Sequence, residues 1–151
     1  MWNSDFKEYL GKNWKKAAAL TGQPFSTALF ERSTFDYTTE PACRAVVTAR
    51  KIDENLAFDV LFALQKAFYA DGKDIAREDV IAELLAPFNL KEFADRFKSE
   101  EAAQHTRRDK NMARLYGATS FPSLVLLDDQ GHLGVIRGYR TFEELTKVLV
   151  E

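Results

Sequence analysis

The chain has 151 residues, a length that suits one domain with a hydrophobic core of its own, and its net charge of −2 argues against nucleic acid or an anionic membrane as a partner. The single cysteine, Cys43, excludes an internal disulfide and a cysteine zinc cluster, and the two histidines, His105 and His132, lack the spacing of metal ligands, so we expect no metal site. The polar N-terminus has no apolar signal segment and no apolar run reaches membrane-spanning length, so we expect a cytoplasmic protein.

Helical periodicity dominates the chain up to Gly117. The first predicted helix begins at an N-cap, Ser4, and ends at Gly22. The following segment, residues 23–40, is rich in Ser, Thr and Phe without a sustained period. It therefore predicts an ordered loop with a short turn near Ala28. The side chains that anchor this loop are predicted to be Phe25, Phe30 and Phe35.

Two further helices are predicted between residues 40 and 72. Pro41 suits the start of the first, where its missing N–H costs nothing, and Asp53 caps the second. The second helix carries two apolar stripes, and a helix that is apolar on two faces is normally central to a core or meets a partner. One stripe contains Ala57, Val60, Leu61, Leu64 and Phe68, and the other contains Phe58, Phe62 and Tyr69.

Three more segments before Gly117 also predict helices. Pro87 ends the first of them, and Phe93 and Phe97 anchor the second. The third is capped by Ser99. Because its early part is polar or alanine-rich and its larger apolar residues come late, we expect it to be exposed along its early part and packed at its end.

The pattern changes after Gly117. The continuous apolar run SLVLL, residues 123–127, predicts a strand that is buried on both faces and paired on both edges. The sequences DDQG and HLGVIRGY predict a turn and a second strand, and a capping box of Thr141 and Glu144 opens a last helix. Since a lone hairpin is marginally stable even under a helix, we expect a segment outside this sequence, or another copy of the chain, to pair with the first strand.

The stretch GATSFPSLVLLDDQGHLGVIRGYRTFEELTKVL resembles the second half of a thioredoxin fold, where a cis-proline loop leads into an antiparallel hairpin and a closing helix. The helices before it resemble the insertion of DsbA-like thiol–disulfide oxidoreductases. TGQPF (21–25) and TEPACRAVVTAR (39–50) are similar to a branch of that family described as protein disulfide isomerases. The resemblance implies an α/β protein, a partial thioredoxin-like fold with a large all-α insertion. It divides the chain into a helical subdomain, residues 1–117, and the C-terminal half of a thioredoxin-like domain, residues 118–151.

The resembled family begins with a strand, a Cys-x-x-Cys motif at the start of a helix, and a second strand, to which nothing in this sequence corresponds. We therefore interpret the chain as a family member without its N-terminal third, with Met1 as an internal methionine of a longer protein. Thiol–disulfide exchange usually needs a second, resolving cysteine. We accordingly expect the chain to be inert in redox assays and assign it no catalytic residue.

Cys43 has two interpretations. It lies in the first turn of a predicted helix, where the helix dipole favours a thiolate, so it is a candidate reactive thiol. A free cysteine is more often a small apolar side chain without chemistry, and we favour that interpretation.

The resemblance assigns substrate docking to the loop before the first strand. In the family, the cis-proline and the residue before it form the edge that binds the substrate, which carries over to Phe121 and Pro122, with Thr119 and Ser120 as loop partners. A cis bond turns the chain and leaves the preceding N–H and C=O free to pair with an extended peptide, whereas a trans Pro122 would only start a strand. The implied substrates are proteins or peptides that contain cysteine, with glutathione as a further option.

Three hypotheses for function follow. The first is a fragment of a DsbA-like thiol–disulfide oxidoreductase or isomerase, which residues 39–50 favour. The second is a glutathione-dependent protein similar to kappa-class glutathione transferases and 2-hydroxychromene-2-carboxylate isomerases, which carry a serine or cysteine in the segment without a counterpart here. The third is a non-catalytic interaction domain that completes its sheet as a homodimer. We expect no cofactor, and the sequence has no phosphate-binding glycine loop.

Overall fold

A computed structural model describes residues 2–150. Within them, helices come first and a strand–turn–strand–helix arrangement follows, in the predicted order. The elements are α1 (Ser4–Thr21), α2 (Glu40–Ile52), α3 (Ala57–Tyr69), α4 (Glu78–Leu85), α5 (Phe93–Lys98), α6 (Glu100–Leu115), β1 (Ser123–Leu127), β2 (Leu133–Arg137) and α7 (Phe142–Val150). Short 3₁₀ helices span Ala28–Glu31, Glu54–Leu56 and Ala86–Phe88. The chain forms two compact units, one up to Thr106 and one from Arg107, and the division at 117/118 stays a prediction about domains.

The helix α1 is bounded by its caps. Its N-cap is Asn3, whose side-chain oxygen accepts a hydrogen bond from the N–H of Phe6 at 2.9 Å. The predicted cap, Ser4, is already helical, so that prediction was wrong by one residue; Asn caps helices at least as well as Ser. Gly22 ends the helix in the left-handed conformation, with φ of 70°, as predicted.

Two later caps also match the sequence. The hydroxyl of Ser99 accepts the N–H of Ala102 at 3.1 Å at the start of α6. Before α7, the side chain of Glu144 accepts the N–H of Thr141, and the Thr141 hydroxyl accepts the N–H of Glu144. This reciprocal pair is the predicted capping box.

An aromatic cluster fixes the loop between α1 and α2. Trp14 of α1 is buried together with Leu29 of the loop and Phe68 of α3. The ring of Trp14 lies 4.9 Å from that of Phe30, centre to centre, in a stacked arrangement. The predicted anchors all pack on this cluster: Phe25, Phe30 and Phe35.

A second core joins α2 to α3, α4 and α5. Ala45 and Ala49 of α2 are fully buried, and their small side chains let the neighbouring helices approach closely. Arg44, on the same helix, adds a polar tie: its guanidinium lies 4.5 Å over the ring of Phe97 and 3.2 Å from the carboxylate of Glu78. The buried members of this core are Ala45, Ala49, Val60, Leu64, Ile81, Leu85, Phe93 and Phe97.

The helix α6 reverses the predicted burial pattern. Its buried residues, Ala102 and Thr106, lie in the first half, and Leu115 at its end is 78% exposed. Thr106 tolerates burial because its hydroxyl donates to the carbonyl oxygen of Ala102 at 2.8 Å. Because small side chains let neighbouring elements approach closely, Ala102 can be buried in a segment that is otherwise polar. The expectation of an exposed first half considered only the size and hydropathy of its side chains, and it was wrong for these two residues.

The strands β1 and β2 form an antiparallel pair in which Val125 faces Val135. Within residues 2–150 the sheet has only these two strands. No residue of β1 is buried, and Leu127 is 66% exposed. The described residues therefore do not supply the burial on both faces and the pairing on both edges that SLVLL predicted.

The turn after β1 is organised by Asp128. One of its carboxylate oxygens accepts the N–H groups of Gln130 and His132 at 2.9 and 2.8 Å, and the other lies 2.8 Å from Nδ1 of His132. The hydrogen bond from the His132 side chain, followed by those from backbone N–H groups, lowers the pKa of Asp128 below its ordinary value. Gly131 supplies the left-handed residue of this turn, with φ of 84°.

Alanine substitutions of two leucines on α3 should differ in their cost in stability, because one leucine is buried in the second core and the other is partly exposed. Leu64 is 1% exposed, so Leu64→Ala should lower the free energy of unfolding by about 3 kcal/mol through lost transfer energy and a cavity. Leu61→Ala on the same helix, where the side chain is 37% exposed, is the matched control and should cost less than about 1.5 kcal/mol. Urea denaturation measures both, and equal losses would contradict the packing described here.

The Asp128 turn should loosen in acid. A carboxyl whose pKa is lower in the folded state stabilises that state above the unfolded pKa of about 3.9, and this contribution is lost as the pH falls through the folded pKa. The amide resonances of Gln130 and His132, followed by NMR from neutral pH downward, should therefore shift with a midpoint below about 3.9. Asp128→Asn should abolish the transition and Asp129→Asn should retain it; a midpoint at or above the ordinary value would contradict the assignment.

Candidate peptide-docking site

The loop assigned to docking, Thr119–Pro122, lies between the end of α6 and the start of β1, and all four of its residues are exposed. The side chain of Phe121 is 93% exposed. The peptide bond between Phe121 and Pro122 is cis. The structure thus presents a phenylalanine ring and a short bend of the backbone, residues 120–122, on the surface of the C-terminal unit.

The start of this loop is fastened to the end of β2 through Gly117. The carbonyl oxygen of Gly117 accepts two hydrogen bonds from the Arg137 guanidinium, at 3.1 and 2.7 Å, and a third from the N–H of Thr119 at 3.0 Å. Gly117 has φ of 77°, and a Cβ there would come within 3.1 Å of the Arg137 guanidinium. The left-handed backbone therefore favours glycine at this position, and a Cβ there would also press on the end of the Arg137 side chain.

The end of the loop is fastened to the same strand. The N–H of Gly138 donates to the carbonyl oxygen of Pro122 at 2.9 Å, and the hydroxyl of Ser123 donates to the carbonyl oxygen of Ser120 at 2.6 Å. Within residues 2–150 the N–H and C=O of Phe121 have no hydrogen-bond partner. The loop is thus held on both sides of the unpaired backbone N–H and C=O of Phe121, and such free groups can pair with an extended peptide.

The hydrogen bonds at the two ends of the β1–β2 pair determine to which side each residue of β1 directs its N–H and C=O groups. Pro122 accepts from Gly138 at one end, and the N–H of Asp128 donates to the carbonyl oxygen of His132 at the other. Because bonded and non-bonded pairs alternate in an antiparallel ladder, Leu124 and Leu126 address β2. The N–H and C=O groups of Ser123, Val125 and Leu127 consequently point to the opposite, unpaired edge.

Cys43 lies in the other compact unit. It is in the first turn of α2, its backbone N–H donates to the carbonyl oxygen of Thr39 at 2.9 Å, and its thiol is unpaired and partly buried. Its partial burial does not decide between a reactive thiol and a small apolar side chain, so both interpretations of Cys43 stay predictions. The chain contains no second cysteine with which this thiol could pair.

The remaining described surface offers few other sites. Among residues 2–150, no three His, Cys, Asp or Glu side chains are grouped so that they could hold a metal ion, and no helix is long and apolar enough to cross a membrane. A depression of about 320 Å³ lies between α4 and α5. Its lining mixes apolar and charged side chains and includes none of the predicted site residues: Glu78, Asp79, Ala82, Phe93, Ala94, Phe97 and Lys98.

The sequence did not reveal the supports of the loop. No pattern in the sequence marks Gly138 or Arg137 as a support of the loop. Arg137 reaches a carbonyl that lies 20 residues earlier in the chain, and no local pattern encodes such a contact. The glycine at 117 was the available signal, since a glycine between a helix and a strand often marks a required backbone conformation.

Comparison with known proteins places this geometry in a family. Residues 6–151 match the thioredoxin-like domain family. The chain is 31% identical to a protein of Nitrosomonas europaea described as a candidate protein disulfide isomerase, whose crystal structure it matches with a TM-score of 0.87, covering 98% of this chain and 74% of that one. The chain matches none of the curated proteins with which it was compared.

A second solved protein is also similar. The cytosolic disulfide reductase DsbM of Pseudomonas aeruginosa is 29% identical, with a TM-score of 0.76, over 87% of this chain and 67% of that chain. Its structure with GSH matches at 29% identity and a TM-score of 0.68, over 81% of this chain and 62% of that chain.

These matches confirm the predicted fold class, a thioredoxin-like fold with a large helical insertion, of which the described residues contain the helices, the hairpin and the closing helix. They also agree with the disulfide oxidoreductase type of fold that the sequence suggested. The chain therefore belongs to the thioredoxin-like domain family and, within it, to the DsbA-like proteins.

Proposed function

We propose that the C-terminal unit is the substrate-docking part of a DsbA-like thiol–disulfide oxidoreductase or isomerase, and that the chain alone does not catalyse exchange. The observation that carries the proposal is the loop Thr119–Pro122, which is fastened at both ends, exposes the ring of Phe121 and leaves the backbone N–H and C=O of that residue unpaired within the described residues. The names of the similar solved proteins, a candidate disulfide isomerase and a disulfide reductase, support the same chemistry.

In this proposal the loop holds the substrate peptide in an extended conformation. The N–H and C=O of Phe121 pair with an extended peptide, and the Phe121 ring covers an apolar side chain beside the cysteine of that peptide. In exchange, a thiolate attacks one sulfur of a disulfide, a new S–S bond forms, and the other sulfur leaves as a thiolate. The chain contains only Cys43, so we propose that the reacting thiols come from a segment outside this sequence.

A turnover assay tests the catalytic half of the proposal. The chain and its Cys43→Ser variant should both reduce insulin with dithiothreitol no faster than dithiothreitol alone, because no pair of cysteines is available to attack and resolve. Turbidity of the precipitating insulin chains measures the rate. Clear turnover by the unaltered chain that Cys43→Ser removes would make Cys43 catalytic and overturn the proposal.

A binding titration tests the docking half. An unstructured peptide with one cysteine flanked by apolar residues should shift the NMR amide resonances of Ser120, Phe121 and Ser123. Phe121→Ala should weaken that binding about tenfold, since truncation of a central aromatic contact typically costs more than 1 kcal/mol. Phe142→Ala is the matched control, because Phe142 is a phenylalanine of the same unit that is 83% exposed. Equal effects of the two variants would contradict docking at the loop.

Glutathione is a second candidate ligand. The similar DsbM structure contains GSH, and glutathione is itself a short peptide with one cysteine that could pair with the same group of Phe121. In the same titration, tighter binding of glutathione than of the longer peptide would favour the glutathione-dependent hypothesis.

The cytosolic location of the DsbM reductase also supports our expectation of a cytoplasmic protein.

A further inference from the structure

The side chains of Ser123 and Arg137 lie next to each other where the hairpin meets the docking loop. The two residues are partners in the β1–β2 register, and the alternation of the ladder makes theirs a non-bonded pair, in which the side chains emerge close together on one face. Both side chains turn back to the loop. The Ser123 hydroxyl donates to the carbonyl oxygen of Ser120 at 2.6 Å, and the Arg137 guanidinium donates to the carbonyl oxygen of Gly117.

Arg137 contacts the loop at both of its ends. Its backbone lies opposite Ser123, which follows the loop, and its Nε and Nη2 atoms lie 3.1 and 2.7 Å from the carbonyl oxygen of Gly117, which precedes the loop. The same oxygen accepts the N–H of Thr119 at 3.0 Å, so the guanidinium and the first residue of the loop share one acceptor. A single side chain of β2 therefore closes the stretch from residue 117 to residue 123, which contains the whole docking loop.

Arginine is suited to this contact by its shape. The planar guanidinium directs an N–H from Nε and one from Nη2 to the same side, so both reach one carbonyl oxygen, whereas a lysine ammonium is a point charge on a flexible stem. Hydrogen bonds from a charged donor are also stronger than those between neutral groups. The contact of Arg137 with Gly117 lies within the chain itself, so it needs no segment outside this sequence.

We propose that Arg137 is a positioning residue for substrate docking: it does not touch the peptide, and it holds residues 119–121 in the conformation in which Phe121 meets the substrate. This inference rests on the docking function proposed above and names the residue that prepares its site. A loop that is fixed before binding loses less conformational freedom when the peptide docks, so it binds the peptide more tightly.

The order of the loop tests the proposal without a substrate. In Arg137→Met, NMR relaxation should give lower order parameters for the amides of residues 119–121, while those of β1 stay as in the unaltered chain. Arg140→Met is the matched control, because Arg140 is an exposed arginine of the same unit whose guanidinium donates to the carbonyl of its neighbour Tyr139. Loop amides that are as ordered in Arg137→Met as in the unaltered chain would overturn the proposal.

The titration with the cysteine peptide measures the consequence for docking. Arg137→Met should weaken binding about tenfold, Arg137→Lys about threefold because lysine can make one of the two bonds, and Arg140→Met less than about twofold. The loss in Arg137→Met should be the same for a peptide with a glutamate beside its cysteine. An extra loss with the glutamate peptide that Arg140→Met does not share would show that Arg137 contacts the substrate, which overturns the positioning role.

A double variant separates positioning from an independent effect. If Arg137 acts through the loop that presents Phe121, adding Arg137→Met to Phe121→Ala should weaken binding by less than about twofold further, because residues that act as one unit are not additive. A further loss as large as the one that Arg137→Met causes in the unaltered chain would overturn the proposal. The docking function fails by a different result, equal effects of Phe121→Ala and Phe142→Ala on binding, and the order of the loop still shows whether Arg137 holds it.

Discussion

One backbone hydrogen bond, from the N–H of Gly138 to the carbonyl oxygen of Pro122, sets the alignment of the C-terminal unit. Because bonded pairs alternate along an antiparallel ladder, this contact determines that Leu124 and Leu126 address β2 and that Val125 points away. The same contact occupies the carbonyl of Pro122, while the backbone N–H and C=O of the preceding residue, Phe121, have no partner among the described residues. The docking loop and the unpaired edge of β1 are therefore two consequences of a single strand register.

The two compact units are stabilised in different ways. The helical unit fully buries large apolar side chains such as Leu29, Val60 and Ile81, which is the largest favourable contribution to folding. From Arg107 to Leu149, by contrast, no described residue is buried. This unit depends on the β1–β2 ladder, the Asp128 turn and the capping box of α7, each a small contribution. Apolar surface that remains exposed on such a unit is where a partner gains most by binding.

Signals contained within a few consecutive residues predicted the structure well. Gly22, Ser99 and the pair of Thr141 with Glu144 marked helix ends because caps depend only on the adjacent backbone. Burial was predicted less well, since it depends on what lies opposite: the first half of α6 contains the two buried residues of that helix, Ala102 and Thr106, and the apolar strand β1 contains none. The docking loop was predicted from the family resemblance. The contact that supports it, between Gly117 and Arg137, joins residues 20 positions apart in the sequence, and no local periodicity predicts such a contact.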